Sequence, residues 1–246
     1  MTDRIDAEHR PWPVPDRPWV MKQTWNSLLF AHWEIRASAL RDLVPSELAL
    51  DTFDGAAWVS VVPFDMSGIR LRGLPPVPGT TAFPEINVRT YVTHQGKPGV
   101  YFFSLDATNA LAVAGARTFF RLPYYRADMS VASEGGAGIV YRSRRTHRNA
   151  PSAEFAARYA PTSGPDRAEA GSLDTWLTER YALYTVHRGH VYRGDIHHAP
   201  WPLQRAEAEI ASNAMASASG IELPDAPPLL HYAQRLDVRL WTLERC

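Results

Sequence analysis

Two adjacent stretches within residues 83–126 constrain the fold most, because both carry the period-two pattern of β-strands. On one face of the first stretch, this pattern places Glu85, Asn87, Arg89, Tyr91 and Thr93. The other face is mainly aliphatic. Such alternation is typical of a strand whose two faces meet different environments, and a solvated edge strand would show it as well. A glycine turn at residues 95–99 joins the two stretches, so the segment predicts a pair of strands.

The second stretch indicates what the polar face of this strand pair is for. Strict alternation here would place Phe102, Ser104 and Asp106 on one face. Carboxylates and an arginine on neighbouring strands, with large apolar side chains among them, are more typical of a lined cavity than of a solvent-washed surface. We therefore expect the two strands to contribute to the wall of a small-molecule pocket.

The remainder of the chain consists of many short β-like segments with few helical ones. This pattern argues against a parallel, doubly wound nucleotide-binding fold. Phosphate-cradling motifs of the types G-x-G-x-x-G and G-x-x-x-x-G-K-[ST] do not occur in the sequence. We predict a mainly β protein with a proline-rich arm over residues 1–20, extended or partly disordered. One β domain is expected over residues 21–246, enclosing a single pocket.

Three short helices are expected in this β domain. Ser38 is a good N-cap for a helix over residues 39–44, which Pro45 would stop. Ser172 is expected to cap a second helix, and a third is expected around residues 213–219.

Composition excludes several classes of partner and compartment. The formal net charge is zero, which disfavours nucleic acid as a partner because its backbone requires a basic surface. Cys246 is the single cysteine, so a disulfide within the chain is impossible. The charged, proline-rich N-terminus does not resemble a signal peptide, and no apolar run approaches the length of a membrane helix. The sequence predicts a soluble cytoplasmic protein without a membrane association.

The order of these segments carries a family resemblance. The chain from residue 25 to about residue 241 resembles the bacterial YqjF-like proteins, through the runs LLFAHW, LDTFDGAAWVSVVPF, FPEINVRTYV, GVYFFSLDA, ARTFFRLPYY and HVYRGDIHHAPWPLQ. That family is similar in turn to the acetoacetate-decarboxylase-like superfamily. The resemblance implies a cone-shaped, mostly antiparallel β-barrel with a few short helices around one pocket. Two places carry the superfamily resemblance: residues 83–85, which match the strand start bearing a pocket glutamate, and residues 115–125.

The chain departs from the superfamily pattern at the position that matters most for chemistry. Decarboxylases of this fold carry two lysines after a proline, and one of them forms a Schiff base with the substrate ketone. Here Tyr124 and Tyr125 follow Pro123, and Lys22 and Lys97 are the only lysines in the chain. Arginine cannot replace an imine-forming amine. We therefore do not expect Schiff-base decarboxylation.

Glu85 and Tyr124 are the candidate catalytic residues. A glutamate aimed into an apolar barrel has a raised pKa and can act as a general acid or base near neutral pH. A surface glutamate paired with arginine is the alternative. A pocket tyrosine can donate a hydrogen bond to an oxyanion, or transfer a proton if its pKa falls; it can equally be a wall residue. Tyr125 is expected to point away from Tyr124 and to pack.

The candidate substrate-binding residues are His32, Asn87, Arg89, Ser104, Asp106 and Arg117. Arg89 lies about 13 Å along the strand from Glu85, so the two can bind opposite ends of a ligand with Asn87 between them. The alternative for Arg89 is a structural ion pair with Asp106, which we expect. For Arg117 the alternatives are a buried structural pair and a carboxylate-binding role.

The histidines do not predict a metal site. Five of the nine fall in the last sixty residues, but their spacings do not match a zinc helix and no cysteine supplements them. His32 is placed at the pocket rim, although a satisfied core histidine is the more common role. No G-x-S-x-G elbow surrounds Ser104, so a hydrolase triad is not predicted. We expect no cofactor and no metal.

Three functions remain open on this evidence. The first is a lysine-independent lyase or isomerase that acts on a small oxo or carboxylic acid through acid–base chemistry at Glu85. The second is a non-catalytic protein that binds a small ligand, an organic acid, in the same pocket. The third is an interaction protein that uses the N-terminal arm as its contact surface. A homo-oligomer is compatible with the sequence, which does not determine the oligomeric state.

Overall fold

The computed structural model describes residues 6–246, and most of them form one 13-stranded sheet. The strands are β1 (Met21–Ile35), β2 (Ala49–Leu50), β3 (Ala57–Leu71), β4 (Phe83–His94), β5 (Lys97–Ala107), β6 (Tyr124–Glu134), β7 (Gly138–Arg145), β8 (Glu154–Pro161), β9 (Ala182–His187), β10 (His190–His198), β11 (Gln204–Asn213), β12 (Leu229–Leu240) and β13 (Glu244–Arg245). The helices are α1 (Ala37–Arg41), α2 (Ala110–Gly115) and α3 (Leu173–Thr178). The prediction of a mainly β fold with few short helices is confirmed.

Additional strand pairings close the sheet into two rings. The first ring runs β5–β4–β3–β1–β12–β10–β9 and returns to β5. The second leaves β5 through β6, β7, β8 and β11 and joins the first at β12. Pairing is antiparallel apart from β5–β6 and β5–β9, which run parallel. The predicted mostly antiparallel architecture is confirmed as this ring-like sheet.

Each ring has its own hydrophobic core, and parts of the strands shared by both rings are buried on both faces. In β1, Leu28 and Phe30 point into the first ring, whereas Leu29 and Ala31 point into the second. This division follows from the alternation of side chains along a strand. It also explains why residues 57–64 are almost continuously apolar, since neither face of this part of β3 meets water.

Of the three helix predictions, one cap is confirmed, one cap is wrong, and one helix is replaced by a short turn. Ser172 caps α3, and its side chain accepts a hydrogen bond from the Thr175 amide at 3.3 Å, as predicted. Helix α1 begins two residues earlier than expected, so Ser38 lies inside it, and its N-cap residue Arg36 makes no side-chain cap bond. Around residues 213–219 only a 3-10 turn forms, at Ser217–Ser219. Within residues 6–246, no helix combines the length and apolar character needed to span a membrane.

The described part of the N-terminal arm lies against β10. The His9 ring nitrogen Nε2 is 2.8 Å from the His198 carbonyl oxygen. Arg10 is buried and donates to the Ile196 carbonyl, and the Trp12 indole donates to Asp195 at 3.2 Å. Residues 6–20 therefore contribute to the packing of the first ring. Residues 1–5 of the predicted arm lie outside the described residues, and the division at residue 20 stays a prediction.

Candidate functional site

A small cavity of about 70 Å³ lies inside the first ring. Strand β4 contributes three consecutive inward-facing polar side chains to its wall: Glu85, Asn87 and Arg89. Phe64 and Leu105, from the neighbouring strands, add apolar side chains to the same wall. At roughly 10–15 Å³ per enclosed water, the cavity has space for about five water molecules. That size suits a ligand of a few non-hydrogen atoms.

Glu85 and Tyr124 form a hydrogen-bonded pair on this wall. The Tyr124 hydroxyl donates to Glu85 Oε2 at 2.7 Å, and Glu85 is 4% exposed. Tyr124 reaches Glu85 because β6 starts in parallel register beside β5, with Tyr124 next to Leu105. Leu105 in turn pairs with Asn87, one inward position from Glu85. The fold therefore brings the two candidate catalytic residues into direct contact.

Burial controls the protonation of both groups. Desolvation raises the pKa of Glu85 to about 7, although hydrogen bonds from Tyr124 and Asn87 oppose the shift. Glu85 can consequently hold or release a proton near neutral pH. The pKa of Tyr124 is raised well above its ordinary value, by desolvation and then by the charge of Glu85. This direction favours a neutral hydroxyl donor over a Tyr124 that transfers its proton through a lowered pKa.

Arg89 lies buried at the other end of the cavity. Its guanidinium carbon is 5.2 Å from the centroid of the Phe30 ring, and Nη2 is 3.4 Å from the Leu177 carbonyl oxygen. None of the ion pairs within residues 6–246 includes Arg89. The expected structural pair with Asp106 is wrong. Arg89 is thus a buried cation without a carboxylate partner in the described chain.

Ser104 and Asp106 do not line the cavity, contrary to prediction. Opposite β4, the register shifts so that Arg89 pairs with Phe102 but Val88 pairs with Ser104, which leaves Phe103 as an extra residue in β5. This bulge reverses the face of every later side chain. Leu105 therefore faces the cavity, and its neighbours Ser104 and Asp106 face away from it.

Asp106 has a structural partner on that opposite face. Arg145 holds it in a bidentate ion pair with two nitrogen–oxygen distances of 2.7 Å, and both side chains are buried. The same arginine lies 4.1 Å from the Tyr125 ring centroid. Tyr125 thus points away from Tyr124 and packs, as predicted.

Two further candidates lie elsewhere. Arg117 is exposed on a π-helical turn, Ala116–Phe120, and donates to the Tyr124 carbonyl oxygen at 2.6 Å. It supports the backbone of the site but does not reach the cavity. His32 is fully buried on the same side of β1 as Phe30, with Nδ1 2.6 Å from the Ser60 hydroxyl and 3.2 Å from the Tyr91 hydroxyl. Desolvation lowers its pKa well below the ordinary value, so it is a neutral core histidine.

Sequence reasoning missed Arg180, Trp25 and Trp201, which all line the cavity. Together with Asn87 and Arg89, each has one buried polar atom without a hydrogen-bond partner in the described residues: Trp25 Nε1, Asn87 Oδ1, Arg89 Nε, Arg180 Nη2 and Trp201 Nε1. Four of these atoms are donors, and buried donors are normally satisfied. Local sequence offers no signal for them, because three separate segments meet only in the folded ring.

Comparison with known proteins places the chain in a family. Residues 22–237 match DUF2071, described as an uncharacterized conserved protein. The chain belongs to this family. It is also 55% identical over 245 residues to the uncharacterized protein YqjF of Bacillus subtilis strain 168, an alignment that covers 100% of this chain and 99% of that protein. The predicted YqjF-like resemblance is confirmed.

Solved structures with the same fold include enzymes of the acetoacetate-decarboxylase type. The enduracididine biosynthesis enzyme MppR has a TM-score of 0.64 and 11% identity, covering 93% of this chain and 88% of that one. Acetoacetate decarboxylase from Legionella pneumophila has a TM-score of 0.60 and 12% identity, covering 97% and 93%. At these identities the likeness shows the fold alone. This DUF2071 protein thus has the predicted acetoacetate-decarboxylase-like fold.

No arrangement for a metal ion is present in residues 6–246, where no group of three or more His, Cys, Asp or Glu side chains is placed to hold one. His231 and Asp174 form a contact of two residues only, in which the His231 side chain lies 3.1 Å from one oxygen of Asp174. What the cavity does offer is a proton-holding carboxyl, a neutral hydroxyl donor and buried guanidinium groups. Such a set can orient a small anion and transfer a proton to or from it.

Proposed function

We propose that this protein is a lysine-independent lyase or isomerase that acts on a small oxo acid by acid–base chemistry at Glu85. The observation that carries the proposal is the Glu85–Tyr124 hydrogen bond on the wall of a cavity that also contains Arg89. A buried carboxyl with a pKa of about 7 is suited to take up and return a proton at neutral pH.

The proposed step begins with the substrate carboxylate on Arg89, whose charge has no carboxylate partner in the described chain. Ionised Glu85 removes a proton from the carbon next to the substrate carbonyl. The electron pair of that C–H bond forms a C=C bond, and the carbonyl π pair moves to oxygen, which gives an enolate. Return of the proton from Glu85 to a different atom gives an isomer. Loss of a leaving group such as hydroxide, protonated to water, gives the lyase reaction.

Tyr124 contributes as a hydrogen-bond donor. Its hydroxyl stabilises the ionised form of Glu85, because this hydrogen bond lowers the carboxyl pKa against the effect of burial. When Glu85 takes up the substrate proton, it no longer needs this donor as strongly. The same hydroxyl then becomes available to the developing enolate oxygen. One fold relative is described as complexed with pyruvate, which supports beginning the search with oxo acids.

The test is hydrogen–deuterium exchange at the carbon next to the carbonyl, followed by proton NMR in D₂O. Pyruvate and other short 2-oxo and 3-oxo acids would be incubated with the wild-type protein. We expect catalysed exchange, and we expect Glu85→Gln to reduce its rate about a hundredfold or more while binding is retained. Glu207→Gln, which changes an exposed glutamate in the same way, is the matched control. Saturable binding of an oxo acid without exchange or turnover would contradict the proposal and indicate a non-catalytic binding protein.

A further inference from the structure

A second space lies beside the cavity, at the protein surface. This outer groove has a volume of about 770 Å³ and is bordered by the arm residues His9 and Pro11, by Phe53 and by Trp176. Arg180 lines both the outer groove and the interior cavity. The two spaces are therefore neighbours, and the Arg180 side chain is part of the boundary between them.

Arg180 is held at this boundary by two contacts. Its Nη1 atom bonds Asp51 at 2.5 Å, and its Nε atom donates to the Trp176 carbonyl at 2.6 Å. The third nitrogen, Nη2, is buried and has no hydrogen-bond partner in residues 6–246. Arg180 is 6% exposed, whereas the Asp51 side chain is 21% exposed and borders the outer groove. The carboxylate is therefore the partner that can leave toward water.

A second buried guanidinium group, that of Arg89, lies close to Arg180. Arg180 and Arg89 both lie against the Tyr91 ring, with guanidinium carbons 4.9 Å and 5.8 Å from its centroid. Asp51 pairs with Arg180, and Arg89 has no ion pair among those of the described chain. The two neighbouring buried guanidinium groups share one partly exposed carboxylate, which contacts Arg180 alone, whereas a ligand carboxylate placed between them would contact both. Arginine is well suited to this contact because its planar group binds carboxylates in a bidentate manner.

We propose that the outer groove is the entrance to the cavity and that Arg180 is its gate, a binding residue for the substrate carboxylate. An incoming short carboxylic acid replaces Asp51 on Arg180 and is then held between Arg180 and Arg89. Asp51 turns into the groove, where water solvates it. The inference rests on the proposed function for the class of ligand, and it adds the route of entry and the residue that selects for a carboxylate.

The experiment measures equilibrium binding of pyruvate by calorimetry, with pyruvamide as the uncharged analogue of the same size. Arg180→Met should weaken pyruvate binding tenfold or more and leave pyruvamide binding unchanged. Asp51→Asn should do the opposite and tighten pyruvate binding several-fold, because the competing carboxylate is gone. Arg167→Met is the matched control, since Arg167 borders the outer groove but not the cavity.

The opposite signs expected for Arg180 and Asp51 separate the gate from a merely structural ion pair. If Asp51→Asn weakens pyruvate binding as Arg180→Met does, or if neither change alters it, the gate is overturned. Arg180→Lys and far-ultraviolet circular dichroism reveal any loss of fold, and the Asp51 result decides the matter even if Arg180→Met does not fold. Opposite effects of Arg180→Met and Asp51→Asn on pyruvate binding, without deuterium exchange, would support the gate and contradict the proposed catalysis. Failure of the gate and failure of the proposed function are therefore distinguishable.

Discussion

Glu85 and Asp106 are two buried carboxyl groups on neighbouring strands, and their surroundings differ completely. Glu85 faces the cavity of the first ring and receives hydrogen bonds from neutral groups, the Tyr124 hydroxyl and the Asn87 side chain. Asp106 faces the opposite side of the sheet and is held by two charged bonds from Arg145. In the pairing of β4 with β5, Asp106 lies opposite Ile86, the residue that follows Glu85. The two carboxyl groups thus come from neighbouring positions of paired strands, but their side chains lie on opposite faces of the sheet.

The difference teaches how a carboxyl group can be recognised as structural or as chemical. A buried carboxylate with a bidentate arginine has its charge compensated permanently, so it fixes the packing and does not exchange protons readily. A buried carboxyl group without a cation has its pKa raised by desolvation, here to about 7 for Glu85. Burial raises the pKa of Asp106 too, but Arg145 opposes that shift.

The largest effect is expected from breaking the structural pair. Arg145→Met leaves Asp106 buried without its cation and should destabilise the protein by about 3–5 kcal/mol, measured by urea unfolding. Adding Asp106→Asn to this variant removes the uncompensated charge and should restore part of the loss. A loss below about 1 kcal/mol for Arg145→Met is what an exposed ion pair would give. It would mean that Asp106, like Glu85, does not depend on a cation for its stability in the folded protein.

The second effect concerns stability as a function of pH. The pKa of Glu85 is about 7 in the folded protein, against 4.5 ordinarily, so the folded state binds this proton more tightly than the unfolded chain does. Wild-type stability should therefore fall as pH rises from about 4.5 to 7, by about 3 kcal/mol at about 1.4 kcal/mol per pKa unit. Glu85→Gln does not titrate.

Relative to wild type, Glu85→Gln should accordingly gain stability between pH 4.5 and pH 8, with most of the gain complete near pH 7. Urea unfolding of both proteins across this range measures the difference. Glu207→Gln, at an exposed position, should show no such trend. A constant difference between Glu85→Gln and wild type at all pH values would show that Glu85 ionises as an ordinary carboxyl group.

A smaller effect is expected from Tyr124→Phe. The lost hydrogen bond favours the ionised form of Glu85, so the pKa of Glu85 should rise further, by about one pH unit for a hydrogen bond to a charged group. Carbon-13 NMR titration of the glutamate carboxyl measures this shift. Tyr125→Phe changes the adjacent residue on the other face and should leave the Glu85 titration where it is in wild type.

The smallest effect is expected from breaking an exposed ion pair next to the buried one. Arg144 is adjacent to Arg145, but it pairs at 2.8 Å with Asp128 at the surface, where both side chains are more than half exposed. Arg144→Met should cost no more than about 1 kcal/mol, and less at high salt. An Arg144→Met cost as large as that of Arg145→Met would show that burial is not what distinguishes these pairs.

Alternation alone was sufficient to place Glu85, Asn87 and Arg89 on one face, because β4 keeps a regular period through these positions. The same reasoning failed on β5. One extra residue at Phe103 shifts the pairing, and a shift of one residue turns Ser104 and Asp106 to the other side. A bulge depends on the partner strand, so the pattern of β5 by itself does not contain it.

The sequence by itself determined the mainly β class, the tyrosines in place of lysines after Pro123, the helix cap at Ser172 and the opposite directions of Tyr124 and Tyr125. These properties depend on residue identity or on neighbours within a few positions. Only the tertiary structure decided which charges meet: Arg145 with Asp106, and Arg180 with Asp51 beside Arg89. Such pairs join segments that are distant in the chain, and their partners are selected by the closure of the rings and by the cost of leaving a buried charge alone.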